Sequence, residues 1–384
     1  MHHDLGAAVL RLTGRRRMLG LGEPTHGVED YLLLRNEIFR YLVEEAGYRS
    51  IALESCCLAG LAADAYVAGA DMGVEEAADA GFSHGFGDSA ANRELLDWMR
   101  AYNRGRGEDE RLRWYGFDGP LEITGAASPR RALTALRDYL AAHLELPPPP
   151  GAAGLDRLLG DDERWDNLES MMDGAKSVGR SQEAVQLRLL ADDLAGYLET
   201  ETPRLIARTG RQEWWRACLY ARTATGLLRY HAAMADESPA RMGRLMALRD
   251  AMMAANLLAI DEYEAGRGPV LVFAANAHLQ RELSSVNLWE GQVEWWSAGA
   301  LTAARLGDGY AFVATTAGTG PELEEPAPDT LEGVLSARPG DRMVVDVKEM
   351  DRAELNRRVV TTYRFAPFDP AHEPDALIFL RDAR

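Results

Sequence analysis

Four times along the chain a short apolar run stops at a polar or ionisable residue. Arg17-Met18-Leu19-Gly20-Leu21-Gly22 ends at Glu23, with His26 three residues later. Ser50-Ile51-Ala52-Leu53 ends at Glu54, Leu112-Arg113-Trp114-Tyr115-Gly116-Phe117 at Asp118, and Val270-Leu271-Val272-Phe273-Ala274-Ala275 at Asn276 and His278. Runs this short, punctuated by Gly and separated by helical stretches, read as buried parallel strands. Val28 to Ala46 carries a helical apolar period and is stopped by Gly47; Ala91 to Arg104 reads as a second helix. The first 124 residues therefore show the alternation of a parallel sheet. From about Arg130 to Glu264 the strand signals vanish and Ala-, Leu-, Arg- and Glu-rich helical sequence follows, broken at Pro147 to Pro150, with Asp161-Asp162-Glu163 opening a further helix. Strands resume at 269–275, 310–316, 342–347 and 376–380, and Gly318 to Asp329 reads as an exposed loop. The expected fold is α/β: a mixed, mostly parallel central sheet flanked by helices, its core formed by residues 1–124 and 265–384 around a large helical insertion or cap at 125–264.

A strand that delivers a titratable side chain at its carboxyl end points to chemistry, because ligands of open α/β sheets bind in the crevice beyond those ends. Composition narrows the chemistry. A net charge of −18 argues against a nucleic-acid surface or an anionic-membrane surface, both of which need a basic stripe. Hydrophobic content of 47% with no apolar run long enough to span a bilayer gives no sign of a membrane protein. The start Met-His-His-Asp-Leu lacks the apolar core of a secretory leader, and three cysteines (Cys56, Cys57, Cys218) give neither a disulfide framework nor metal-ligand spacing. The cytoplasm is the expected compartment, and no metal or cofactor is called for.

Gly22-Glu23-Pro24-Thr25-His26-Gly27 is the sharpest local signal. Two glycines and a proline hold a carboxylate and an imidazole just past a strand, and an imidazole titrating near neutrality suits general-base work. The bland alternative is a surface turn in which Thr25 caps the helix. Arg35 falls inside the apolar arc formed by Tyr31, Leu32, Leu34, Ile38, Phe39 and Leu42; a buried guanidinium calls for a carboxylate partner, with Glu23 and Glu54 nearest by architecture, unless it snorkels to water. His278 shares the strand-end edge with these groups and fits an acid or an oxyanion donor. His84 stands in a Gly-rich loop and either lines the cleft or is exposed. Asp118, Asn276, Arg249 and Asn256 are further candidates to contact substrate, Arg249 and Asn256 on one face of a helix whose neighbouring face carries a solvated Asp250. Cys56 and Cys57 read as small buried hydrophobes. No Gly-x-Ser-x-Gly elbow, P-loop or dinucleotide fingerprint is present, which favours an activated water or direct proton transfer on a small-molecule or modified-peptide substrate.

These blocks together resemble the erythromycin esterase family. Gly22 to His26 is similar to its Gly-Glu-x-Thr-His motif, Arg35 falls where its helix Arg lies, and Ile51-Ala52-Leu53-Glu54 resembles its strand ending in Glu. Glu94 to Asn103, Trp114 to Asp118 and Arg249 to Asn256 resemble further blocks, all in order between Gly22 and Arg281. The resemblance implies a metal-independent hydrolase opening macrolactone esters, with His26 as general base, Glu23 and Glu54 as orienting carboxylates and Arg35 as a positioning cation. One departure stands out: the family's His-Asn-x-His block reads Ala275-Asn276-Ala277-His278 here. Loss of its first His points alternatively to a biosynthetic cyclase or lyase on the same scaffold, and more distant relatives keep a haem- or metal-binding role in view.

Overall fold

The computed structural model of the chain describes residues 3–122, 125–145, 150–288, 291–321, 323, 326–355, 357, 359, 370 and 374–384. The proline run at 147–149, His2 and parts of the 318–329 loop lie outside the described residues. The chain divides into two compact units, one of residues 1–117 and 257–384 and the other of residues 118–256.

The first unit is organised around one sheet of seven strands: β1 (Met18–Glu23), β2 (Ser50–Cys56), β3 (Arg113–Asp118), β4 (Val270–Ala275), β5 (Tyr310–Thr319), β6 (Arg342–Val345) and β7 (Ala376–Asp382). Their spatial order is β6-β7-β5-β1-β4-β2-β3. The pairings of β1 with β4 and β5, of β2 with β4, and of β5 with β7 are parallel, while β6 is antiparallel to β7. The sheet is thus mixed and mostly parallel. Every residue of β1, β2 and β4 is buried, as expected of parallel strands covered on both faces. Leu19, Leu21, Ile51, Leu53, Leu271 and Phe273 share one core cluster with Tyr31, Ile38, Phe39 and Leu42 of the helix Glu29–Ala46, which ends at Gly47 in the left-handed conformation at φ 70°. Val28, not Thr25, is the residue at its N-cap, and no side chain caps it there.

Strand β4 enters from late in the sequence and lies between β1 and β2. Register pairs Glu23 with Ala275 and Leu53 with Phe273. The tip of β4, 221 residues after Glu54 at Ala275, is thereby set between those of β1 and β2, and this placement creates the site. The close approach at β1 depends on Gly22: a Cβ there would lie 2.1 Å from Asn276 Oδ1 and 3.0 Å from Asn276 Cα.

The second unit holds the helices Arg130–His143, Gln182–Thr200 and Arg211–Met234 and the greater part of Arg241–Glu264. Its core gathers Leu121, Met171, Leu227, Tyr230, Met234 and Leu245. His231, without context in the sequence, is buried against Trp165 and its Nε2 lies 2.9 Å from the Ala127 carbonyl. Burial lowers its pKa to about 4. No helix among the described residues is long and apolar enough to cross a membrane.

Several sequence expectations are corrected. Glu54 does not close its strand; β2 runs on to Cys56, and every one of its residues, Glu54 included, is buried. Asp161-Asp162-Glu163 leads only into a single tight turn, Asp162–Arg164, rather than opening the next α-helix. Asp250 is fully buried, not solvated. A hairpin of Leu283–Leu288 and Gly291–Trp296 follows β4; its weak alternation (Leu-Ser-Ser-Val-Asn-Leu) gave no strand signal.

Candidate active site at three neighbouring strand tips

His26 stands in the loop after β1, with its side chain about one-third exposed (32%), between two nearly sealed carboxylates (4% each). Its Nδ1 is 2.7 Å from Glu23 Oε1. An ionised carboxylate only accepts, so Nδ1 carries the hydrogen and donates it. The other ring nitrogen, Nε2, faces Glu54 Oε1 at 3.6 Å, beyond a hydrogen bond but close enough for strong attraction once the ring is charged. Glu54 is itself held from two sides: the Ala275 N–H donates to its Oε2 at 2.9 Å, and His278 Nε2 lies 3.3 Å from its Oε1. The peptide N–H at the end of β4 thus fixes the carboxylate of β2, a direct result of the strand order.

Electrostatics follow from this packing. Burial opposes a charged imidazole, but the charge of Glu54 and the hydrogen bond to Glu23 outweigh it, and the pKa of His26 is raised to about 10. Burial also raises the carboxyl of Glu23, with the His26 hydrogen bond pulling the other way. The three groups interact closely enough to titrate as one coupled set. At neutral pH His26 holds a proton between the two carboxylates.

Arg35 is completely buried, as its place in the apolar arc predicts. The expected ion pair with Glu23 or Glu54 is not formed. Its Nε and Nη2 donate to Asn36 Oδ1 at 3.1 and 2.7 Å, and the guanidinium lies over the Phe273 ring at 4.9 Å. Its Nη1 makes no hydrogen bond among the described residues. Glu23 acts on it only through charge, keeping Arg35 from falling further than the value of about 10 to which burial lowers it. Asn36 passes the connection on, donating to the Ala91 carbonyl and to Glu94. Its own burial beside Arg35 in the helix was the overlooked sequence signal.

These groups line a cavity of about 390 Å³ that includes Glu23, His26, Arg35, Glu54, His84, Phe86 and Phe273. Phe86, which no sequence pattern singled out, meets the His26 ring edge-on at 5.3 Å. His278 is 1% exposed and sits in a one-turn helix, Asn276–Leu279, rather than on the strand itself. Asn276 uses both ends of its amide on β5, donating to the Thr315 carbonyl at 2.8 Å and accepting from the Thr315 N–H at 3.3 Å.

Asp118, Arg249 and Asn256 are held by partners within the second unit. Arg249 Nη2 is 2.7 Å from the fully buried Asp118, whose other oxygen accepts from the Gly119 N–H; Asn256 Oδ1 accepts from Arg222. Cys56 and Cys57 are buried and unbridged. No group of three or more His, Cys, Asp or Glu among the described residues is arranged to hold a metal ion.

Known proteins place this architecture. In a solved protein of Bacillus cereus, the alignment covers 100% of this chain and 92% of that one, with a TM-score of 0.74 and 19% identity. A solved succinoglycan biosynthesis protein gives 0.74 with 15% identity over 98% of this chain and 90% of its own. A variant of the erythromycin esterase EreC, solved in its open conformation, gives 0.73 with 19% identity over 98% and 93%. At such identities the likeness is one of fold. The erythromycin esterase type II of Escherichia coli is 24% identical over 110 residues, a stretch that spans 29% of this chain and only 25% of that protein. The family model described as erythromycin esterase matches residues 43–383, a span that includes Glu54 and His278 and begins after His26 and Arg35. Because that match takes in most of the sequence, the chain belongs to the erythromycin esterase family.

Proposed function

We propose that the chain hydrolyses a carboxylic ester or lactone, with His26 drawing the proton from the attacking water. Membership of the family supports hydrolase-type chemistry. The observation that carries the reading is the placement of His26, whose Nδ1 is tied to Glu23 while Nε2 opens toward the cavity beside Glu54. Neutral at Nε2, the imidazole takes a proton as the water oxygen bonds to the acyl carbon. Glu23 fixes the tautomer and Glu54 stabilises the imidazolium that forms. Negative charge developing on the carbonyl oxygen meets Arg35, whose buried Nη1 has no other partner among the described residues.

Ala275 supports a second reading. Its main-chain N–H serves Glu54, but its methyl group supplies no proton where the family carries a His. The same base acting on an internal hydroxyl instead of water would give cyclisation. Product mass separates the two when a panel of alkyl esters and macrolactones is incubated with the protein: hydrolysis adds one water, whereas ring closure loses the leaving alcohol. Unchanged masses across the panel would count against hydrolysis.

The electrostatics set the pH dependence of the hydrolytic reading. Below its pKa, the fraction of neutral His26 rises tenfold per pH unit, so on an aryl ester, whose leaving group needs no proton, log kcat/KM is expected to climb with pH from neutrality toward about 10. Glu54 supplies the largest of the upward effects. In Glu54→Gln the rising limb is therefore expected to move toward acid, which a pH–rate profile would detect. A limb left in place would separate His26 from the titration.

A further inference from the structure

Hydrolysis requires a proton for the departing alkoxide as well as a base for water. His26 gives one up reluctantly, because the charge of Glu54 and the hydrogen bond to Glu23 raise its pKa to about 10. His278 is sealed at 1% exposure against Glu54, and Ala275 has none to give. The other imidazole lining the cavity is His84.

The loop that carries His84 is built to hold it in an unfavourable conformation. His84 is the one non-glycine residue with positive φ (59°) among the described residues, and Gly85 follows at 73°. Strained backbone persists only where its surroundings over-determine it, and such places cluster at functional sites. Here the surroundings are explicit. Ser83 is clamped to β2 at two points: its N–H donates to Ser55 Oγ at 2.9 Å, and its Oγ accepts from the Cys56 N–H at 2.8 Å. The loop is thereby fastened to β2 directly after Glu54. Downstream, Asn92 Nδ2 donates to the Phe86 carbonyl, and Arg93 donates to the carbonyls of Gly87 and Asp88. The His84 ring packs against Phe86 at 5.4 Å, and Phe86 in turn packs against His26. The two imidazoles therefore pack against the same aromatic ring and line the same cavity.

We propose that His84 is the general acid of the reaction, protonating the leaving oxygen as the acyl–oxygen bond breaks. This assignment rests on the hydrolase reading. Water's oxygen bonds to the acyl carbon and its proton passes to His26 Nε2. The tetrahedral carbon then expels the alkoxide, which takes a proton from the His84 imidazolium and leaves as alcohol. Exchange with solvent returns the proton lost by His84 and removes the one gained by His26, so each cycle consumes one water.

The test uses 4-nitrophenyl and ethyl esters of an acid that the wild-type protein accepts. A nitrophenolate leaves without a proton; an ethoxide does not. His84→Asn keeps a residue that tolerates positive φ and is expected to lose about 10²-fold more kcat on the ethyl ester than on the aryl ester. His84→Gly is expected to match or exceed the wild-type Tm, since glycine adopts this conformation freely, and added imidazole is expected to restore part of its ethyl-ester turnover. Equal losses on both esters, no loss on either, or absence of imidazole rescue would overturn the assignment. If the wild-type protein turned over no ester of either kind, the hydrolase reading would fail and this inference with it.

Discussion

His26→Asn is expected to turn over its ester about 10²- to 10⁴-fold more slowly than the wild-type protein, the usual contribution of a positioned base. Asparagine suits the test because its amide can still donate to Glu23, so the buried carboxylate does not lose its only hydrogen-bonded partner in the described structure. Truncation to alanine would remove that donor and mix a stability loss into the result. The loss should fall on kcat and kcat/KM alike, since the proton moves only as the transition state forms. Steady-state kinetics on whichever ester the wild-type protein accepts gives the answer. Wild-type kcat in a folded His26→Asn protein would remove His26 from the chemistry.

The second large effect comes from a position with no side chain. Gly22→Ala places a methyl group 2.1 Å from Asn276 Oδ1 and 3.0 Å from the Asn276 backbone. Asn276 cannot simply rotate away, because both ends of its amide are bound to Thr315. The one-turn helix that begins at Asn276 and carries His278 must move instead, and with it the Ala275 N–H that holds Glu54. Overpacking of this kind costs about 1–3 kcal/mol. Displacement of the Glu54 carboxylate by about 1 Å costs roughly 10²-fold in rate. Denaturant unfolding and kcat measured on the same preparation should therefore fall together. Loss of stability with full activity would show that the β4 end can yield without moving Glu54.

Gly22 also shows how much of the architecture was legible in the chain. The apolar runs located all seven strands of the sheet, β6 included; parallel strands buried on both faces are written as continuous hydrophobic sequence. The helix after His26 was legible from its apolar period and its terminal Gly47. Arg35 could be read as buried from its place in that arc, but its partner could not. The amide of Asn36, one residue away, does what a carboxylate was expected to do, and Phe273 completes the environment from a distant strand. Glu54 looked like a strand terminus because a carboxylate inside a covered strand is normally costly. The N–H that offsets the cost belongs to Ala275, whose position beside Glu54 depends on β4 entering between β1 and β2. No local pattern reports such an insertion. Phe86 and the Ser55–Ser83 clamp were invisible for the same reason: their meaning lies in pairwise contacts between loop and strand, not in periodicity. Asp250 was misjudged because helical phase gives only the facing direction, and Arg241–Glu264 is covered on more than one side.

The central claim is that one imidazole in the loop after β1 holds a proton between carboxylates delivered by two different strands. Its direct test is the titration of the His26 ring, followed through its nitrogen shifts by ¹H–¹⁵N correlation from about pH 5 to 11 and assigned by comparison with His26→Asn. The ring is expected to stay charged through neutrality and to release its proton near 10, with Nδ1 remaining protonated in the neutral form. A midpoint near the ordinary 6.5 in the folded protein would contradict it.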